Sequence, residues 1–183
     1  MPASRLSKAQ RDLRQTRHKS IGFVKSDAYS EGPIYLSTPG YASPMTQINP
    51  YLRFDAKCRE AMRFYQECLG GGDLQLTTVG ESAMAKQMPA EMQQQIMHAN
   101  LTKGRLTLLG SDMVGPEGLV RGNSFVLQVE CDSEDEIRTL YSKLSSGGKA
   151  TYPISPSFWG GLYGQLIDKY GNGWMLNYQK PAK

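Results

Sequence analysis

The side chains best suited to chemistry form two pairs with strand spacing, one pair in each half of the chain. His98 and Asn100 are two residues apart, and so are Tyr163 and Gln165. Successive side chains of a strand alternate between its faces, so each pair is predicted to share one face. Histidine changes charge near neutral pH, which makes His98 the candidate catalytic acid or base. The alternative is that its ring only bonds a neighbouring group, because no nucleophile or carboxylate stands beside it.

Two large rings form a second candidate feature. Phe158 and Trp159 come directly before Gly160 and Gly161. Rings beside a flexible pair of glycines can form the wall or lid of a site for a flat ligand. The same pattern is typical of core packing next to a strand bulge, and both interpretations stay open here. The candidate substrate-binding residues at this point are Asn100, Phe158, Trp159, Tyr163 and Gln165.

The three cysteines are predicted to serve in packing. Cys58 and Cys68 fall on the apolar stripe of a predicted helix, while Cys131 ends a predicted strand ahead of an acidic turn that would raise its thiol pKa. An odd number of cysteines and the lack of a secretory apolar segment favour a reducing compartment. No apolar run approaches membrane-spanning length. We therefore expect a cytoplasmic protein without a membrane partner.

These candidate residues are positioned by a unit that occurs twice. Each copy begins with a strand, continues into an apolar helix and ends in further strands. Matching residues recur in order, namely Asn49, Tyr65 and Gly71 in the first copy and Asn123, Tyr141 and Gly148 in the second. Paired βαβββ units that bury their sheets against each other predict an α+β fold. We expect module one at residues 46–113, a linker at residues 111–122 and module two at residues 123–180.

Three local signals predict where helices and turns begin. Asp55 is placed to cap the first helix, because a carboxylate can accept from the free amides of a first turn. Ser133 and Glu136 form a capping box for the second helix. Lys103 and Gly104 are expected to form a tight connection between two strands.

The net charge of +4 belongs to the first 45 residues. They hold seven Lys and Arg and three Asp and Glu, whereas the remaining residues hold fourteen of each. A balanced folded part offers no clustered cations to phosphates, so we exclude nucleic acid as a partner. The basic segment 1–45 is expected to be a disordered extension. The alternatives are an organelle transit peptide and a true start at Met45.

Six segments in register carry a family resemblance. They are Ile48-Asn-Pro-Tyr-Leu-Arg-Phe, Glu60-Ala-Met-Arg-Phe-Tyr, Met97-His-Ala, Leu108-Leu-Gly-Ser-Asp, Phe158-Trp-Gly and Asp168-Lys-Tyr-Gly-Asn-Gly-Trp. In order and spacing they resemble the PhnB-like branch of the vicinal oxygen chelate superfamily, which includes glyoxalase I, extradiol dioxygenases and bleomycin resistance proteins. The resemblance implies a glyoxalase-like cup formed by the paired βαβββ modules. It also implies a metal held by His, Glu or Gln from four strands.

The positions at which the resemblance implies metal ligands hold unsuitable side chains. Aligning residues 168–175 with the family's Asp-x-x-Gly-Asn-x-x-Glu puts Met175 at the carboxylate position. Thr107, Pro50 and Phe125 fall at the other three positions. A thioether is a poor ligand for a hard divalent ion, and the other three are not ligands of catalytic zinc, nickel or iron. We expect no metal and no other cofactor, and Met175 joins the candidate substrate-binding residues.

The resemblance and the lost ligands together favour a metal-free homodimer that binds a small, partly apolar molecule in the cup. A second hypothesis is a lyase, isomerase or transferase that uses His98 with Tyr163 or Gln165. A metal-dependent lyase or dioxygenase follows only if the aligned positions are wrong. The ubiquinone methyltransferase activity with which PhnB-like sequences have been labelled finds no support. The chain has no Gly-rich loop after its first strand and no acidic ribose anchor.

Overall fold

The computed structural model describes residues 46–181, and the extension expected at residues 1–45 lies outside the described residues. Eight strands and two α-helices follow the predicted order, βαβββ twice. The first module consists of β1 (Tyr51–Arg53), α1 (Cys58–Cys68), β2 (Asp73–Thr78), β3 (Ile96–Lys103) and β4 (Leu106–Ser111). The second consists of β5 (Leu127–Cys131), α2 (Glu134–Ser145), β6 (Lys149–Pro156), β7 (Gly161–Ile167) and β8 (Gly173–Gln179). The predicted α+β fold of paired βαβββ modules is confirmed.

Each module forms its own four-stranded mixed sheet. The first sheet has the order β1-β4-β3-β2 and the second the order β5-β8-β7-β6. In both sheets the first strand of the module pairs in parallel with the last, and the other pairs are antiparallel. The two sheets therefore present equivalent positions, which allows their residues to be compared by strand pairing.

One face of each sheet is covered by the helix of the same module. A Cβ atom built on Gly110 would lie 3.2–3.3 Å from Phe54, Cys58 and Met62. In the second sheet, a Cβ on Gly164 would meet the ring of Tyr141 on α2 at 3.0 Å. These glycines let helix and sheet approach closely, and their strand neighbours point the other way. We call the surface of each sheet that faces away from its helix its open face.

The helix starts show one correct expectation and one wrong one. Ser133 caps α2, because its hydroxyl accepts from the Glu136 backbone amide at 3.1 Å. Asp55 does not cap α1. The Cys58 amide instead donates to Oδ1 of Asp112 at 2.8 Å, and the other oxygen of that carboxylate accepts from the Ile96 amide at 2.8 Å. This cap is supplied after β4, so it depends on the tertiary fold rather than on local sequence.

The two modules share a continuous core that includes a buried polar cluster. The carboxylate of Asp168, in the turn between β7 and β8, is 3% exposed. Its Oδ2 accepts from the Tyr65 hydroxyl of α1 and from the Trp174 indole, both at 2.7 Å. Its Oδ1 accepts from the backbone amides of Tyr170 and Asn172. A buried carboxylate with four donors is fully compensated, and it ties the first helix to the second sheet.

Candidate functional site

The open face of the second sheet carries two transverse rows of functional side chains. One row pairs Tyr152 with Gln165, Gln165 with Met175 and Met175 with Gln128 across four strands. The next row pairs Ser155 with Tyr163, Tyr163 with Asn177 and Asn177 with Glu130. The alternate residues of β7, Leu162, Gly164 and Leu166, are buried on the helix side. The sheet thus concentrates rings, amides and one carboxylate on one surface.

Four rings line one side of this face, and we call them the aromatic row. Tyr152 and Tyr163 have ring centroids 5.7 Å apart, and Tyr163 and Trp159 have the same separation. Phe158 completes the row, with its centroid 4.6 Å from that of Trp159 and its plane at 85° to it. Phe158 is 97% exposed. The contacts of Trp159 with Phe158 and with Tyr163 are edge-to-face, and Tyr152 and Trp159 are 49% and 40% exposed, so the row forms a partly exposed apolar surface.

A hydrogen-bond network lies beside the aromatic row. The Trp159 indole donates to Oδ1 of Asn177 at 3.1 Å, and Nδ2 of Asn177 donates to Oε2 of Glu130 at 2.6 Å. Gln128 donates to the second carboxylate oxygen of Glu130. On β7, the Gln165 amide donates to the Tyr163 hydroxyl. These contacts fix the orientation of polar groups that retain further donor and acceptor capacity for a ligand.

The Phe158–Trp159 turn is held by its own backbone. The Gly161 amide donates to Oγ of Ser157 at 3.0 Å, and the Ser157 amide donates to the Gly161 carbonyl at 3.0 Å. Gly160 has a φ of 90°, which favours glycine. The rings therefore project from a hydrogen-bonded turn between β6 and β7.

The first sheet presents a smaller polar group on its own open face. The His98 ring packs against that of Tyr51, with centroids 5.9 Å apart. Asn100 pairs with Leu109 and with Gln75 on the neighbouring strands. Its Oδ1 is buried and has no hydrogen-bond partner among residues 46–181. A buried acceptor without a partner is costly and uncommon in folded proteins.

The predicted site residues thus fall into two groups on different sheets. Phe158, Trp159, Tyr163, Gln165 and Met175 lie together on the second open face, whereas His98 and Asn100 lie on the first. No hydrogen bond or ring contact joins the two faces within the described part of the chain. The expected equivalence of His98 and Asn100 with Tyr163 and Gln165 stays a prediction, in which the pair of Asn100 with Leu109 corresponds to the pair of Gln165 with Met175. Their roles in binding or catalysis stay predictions.

Sequence reasoning missed several residues of the second open face. They are Gln128, Glu130, Tyr152 and Asn177. Two-residue alternation from Met175 would have selected Asn177, since both lie on β8. The place of Glu130 beside Asn177 depends on the parallel pairing of β5 with β8, which has no local signal in the sequence.

Strand pairing offers a second set of positions to compare with metal ligands. Met175 of β8 pairs with Gln128. If Asn100 is matched with Gln165, then Leu109, which pairs with Tyr51, is matched with Met175 in place of Thr107. Only Gln128 has a side chain of the kind that the family uses, so this donor set does not fit a divalent metal. No group of three or more His, Cys, Asp or Glu able to hold a metal occurs within residues 46–181.

The cysteines lie in the core and are unreactive by environment. Burial, and then the Asp112 carboxylate, raises the pKa of the Cys58 thiol to about 12. Burial raises that of Cys68 to about 11, and burial with nearby Glu136 raises that of Cys131 to about 12. The predicted effect of the acidic turn on the pKa of Cys131 is present, although burial is the larger cause. A thiol that stays protonated is a poor nucleophile, so these residues serve in packing.

Within residues 46–181, neither helix has the length and apolar character needed to cross a membrane.

A family model and several relatives match the part of the chain that forms this fold. The model described as 3-demethylubiquinone-9 3-methyltransferase matches residues 46–177. Protein YjdN of Escherichia coli strain K12 is 30% identical over 141 residues, which cover 73% of this chain and 95% of YjdN.

Two solved structures share the fold. Protein PA1353 from Pseudomonas aeruginosa has a TM-score of 0.66 at 34% identity and covers 75% of this chain and 100% of its own. A PhnB protein from Bacillus cereus, titled a putative 3-demethylubiquinone-9 3-methyltransferase, has a TM-score of 0.60 at 25% identity. It covers 73% of this chain and 99% of its own.

Proposed function

The chain belongs to the PhnB-like family of the vicinal oxygen chelate superfamily, as its motifs predicted, and from this premise we propose that it binds a small, partly apolar molecule without the family's metal. The observation that carries the proposal is the aromatic row beside the amides of Gln165 and Asn177. A binding site for a small molecule typically combines apolar walls with a few oriented polar groups. The open face of the second sheet offers both.

The residues of this face suit a flat ligand better than a reaction. Tyr163 and Trp159 provide ring faces, Met175 provides an adaptable apolar contact, and Gln165 and Asn177 provide amides for orientation. No cysteine or histidine lies in the two transverse rows described above. We therefore propose binding or sequestration as the activity.

A second copy of the chain would complete the cup. Large apolar side chains before the first strand of each module and in the segment between the modules are exposed. Ile48, Val120 and Phe125 are 94%, 81% and 65% exposed. Exposed apolar side chains of this size support a protein interface. We propose a homodimer. Sedimentation velocity tests this proposal, and the expected mass is twice the 20.3 kDa of one chain.

The alternative enzyme hypothesis has less support. It requires His98 to act with Tyr163 or Gln165, but His98 packs against Tyr51 on the other sheet. A homodimer that brings unlike sheets together would be needed to unite these groups. His98→Ala is therefore the informative variant, since an enzyme would lose orders of magnitude in rate and a binder would keep its affinity.

Methyl transfer, the activity in the description of the family model, is not our proposal. A nucleotide-like methyl donor would need a Gly-rich turn after the first strand and an acidic group for its ribose. In this chain β1 is followed by residues 54–57, Phe-Asp-Ala-Lys, before α1 begins. The sheets are mixed and four-stranded rather than parallel and doubly wound.

The proposal is tested with a flat neutral probe, 3-methylbenzamide, followed by NMR. The chain has two tryptophans, so the indole N–H groups give one signal from Trp159 and one from Trp174. Trp159 lies on the aromatic row, whereas Trp174 is 3% exposed and bonded to Asp168. We expect a saturable shift of the Trp159 signal alone.

Two variants make this test specific. Tyr163→Ala is expected to weaken binding about tenfold or more, because the loss of a ring wall removes much of the apolar contact. His98→Ala, on the other sheet, is expected to leave binding unchanged. A titration that depends on His98 and not on Tyr163 would move the site to the first sheet.

A further inference from the structure

We infer that the natural ligand of the second open face is an organic cation with a flat, apolar ring system. This inference rests on the proposed function and adds the charge of the ligand to it. Its basis is a single carboxylate, Glu130, that is held beside the aromatic row.

Glu130 and Trp159 are held by the same amide. Asn177 accepts from the Trp159 indole through Oδ1 and donates to Glu130 through Nδ2, at 3.1 and 2.6 Å. Gln128 donates to the other oxygen of the Glu130 carboxylate. Each carboxylate oxygen keeps lone pairs for a further donor. The negative charge is therefore linked to the indole ring through the Asn177 amide.

The rings have the arrangement that attracts a cation. The face of an aromatic ring is electronegative and attracts a cation placed over it. The planes of Trp159 and Tyr163 are inclined at 78°, and those of Phe158 and Trp159 at 85°. Tyr163 pairs with Asn177 and Asn177 with Glu130, so two strand spacings, about 10 Å, separate ring and carboxylate along the row. One ring-sized ligand can reach both.

Positive side chains are lacking in the same two rows. The eight residues of these rows include no Lys or Arg. Lys149 pairs with Ile167 in the adjacent row. Lys103 and Lys143 line a cavity together with Glu130, but the ion pairs found within residues 46–181 join Lys57 to Glu60 and Lys180 to Glu134, not to Glu130. The Glu130 carboxylate thus makes no ion pair among these residues, and an anionic ligand would meet repulsion from it.

A matched pair of probes tests the inference. The 1-methylnicotinamide cation and neutral 3-methylbenzamide have nearly the same shape and the same amide, and differ in one positive charge. Both are titrated into the full-length protein while the indole signal of Trp159 is followed. We expect the cation to bind about tenfold more tightly, because ring faces and carboxylate both favour it.

Two variants that each remove one negative charge test whether Glu130 causes the preference for the cationic probe. Glu130→Gln is expected to reduce the cation preference to threefold or less, whereas Glu134→Gln on α2, which makes the same change in net charge, leaves it tenfold. An unshifted Trp174 signal shows that both variants are folded. A preference that stays near tenfold in Glu130→Gln contradicts the inference.

The two proposals fail differently. Equal binding of both probes by the unmodified protein overturns the cation inference and leaves the proposed function standing. If neither probe shifts the Trp159 signal at millimolar concentration, both proposals are wrong.

Discussion

The hydroxyl of Tyr65 donates a hydrogen bond of 2.7 Å to Oδ2 of Asp168, and this contact joins the helix of the first module to a turn of the second. The Tyr65 side chain is fully buried, and its oxygen also accepts from Nδ2 of Asn172 at 2.7 Å. Asn172 in turn accepts from Arg121 in the segment between the modules. This cluster fixes the turn that precedes β8, the strand that carries Met175 and Asn177.

Tyr65→Phe tests the cluster at its centre. The change removes one hydrogen bond to a buried carboxylate and leaves the Asn172 amide without its acceptor. We expect the free energy of unfolding to fall by about 2–3 kcal/mol, measured by urea titration.

The matched control is Tyr141→Phe at the equivalent position of α2. The Tyr141 hydroxyl donates only to backbone carbonyls, of Tyr152 and Gln165, at 3.1 and 3.2 Å. We expect a loss of about 1 kcal/mol. Equal losses in the two variants would mean that the hydrogen bond to Asp168 stabilises the fold no more than hydrogen bonds to backbone carbonyls do.

The same tyrosine predicts a loss of stability in alkali. Burial, and then the charge of Asp168, raises the pKa of Tyr65 above its ordinary value of 10.0. Above pH 10 the unfolded chain releases a proton that the folded protein keeps, so stability is full below pH 10 and falls as the pH rises further. The contribution of one such group is about 1.4 kcal/mol per pH unit.

Tyr65→Phe lacks this group, so its free energy of unfolding is expected to fall less steeply between pH 10 and 11. The buried thiols titrate in the same way in both proteins and cancel in the difference. Parallel pH dependences would show that Tyr65 ionises as easily in the folded state as in the unfolded one.

Asp112 is predicted to be the cap on which α1 depends. Asp112→Ala leaves the amides of Cys58 and Ile96 without their acceptor, and we expect a loss of about 2–3 kcal/mol. Asp55→Ala is the control, because Asp55 is exposed and supplies no cap, and it is expected to change stability by less than about 0.5 kcal/mol. Thermal unfolding of both variants measures the difference. A larger loss of stability in Asp55→Ala than in Asp112→Ala would show that Asp55 caps α1, as the sequence predicts.

Metal content tests the comparison of ligand positions. The matched residues Tyr51, Leu109, Gln128 and Met175 supply one suitable donor among four, so protein purified without chelator is expected to contain far less than one metal ion per chain. Elemental analysis by mass spectrometry measures this content. Stoichiometric zinc, nickel, iron or manganese would contradict the proposed mode of binding.

The fold could be predicted because the same local sequence patterns occur in both halves of the chain. The apolar stripe of Cys58, Met62 and Tyr65 identifies α1, and Ser133 with Glu136 marks the start of α2. Duplication then fixes the order of elements, since two half-units must pack together. The cap from Asp112 could not be predicted, because it joins residues 54 positions apart that only the folded sheet brings together.

The site could be predicted only along single strands. Alternation placed Tyr163 beside Gln165 and His98 beside Asn100 on shared faces. It could not show that the two pairs lie on separate sheets without contact, nor that Glu130 lies next to Asn177. Those relationships depend on parallel pairing between the first and last strands of a module, for which no single segment carries a signal.

The central claim is that the open face of the second sheet is the ligand site, and intermolecular NOEs from the methyl group of 3-methylbenzamide test it most directly. The account predicts NOEs to ring protons of Trp159, Tyr163 and Tyr152, which are lost in Tyr163→Ala. NOEs to Tyr51 and His98 instead would place the ligand on the first sheet and contradict the account.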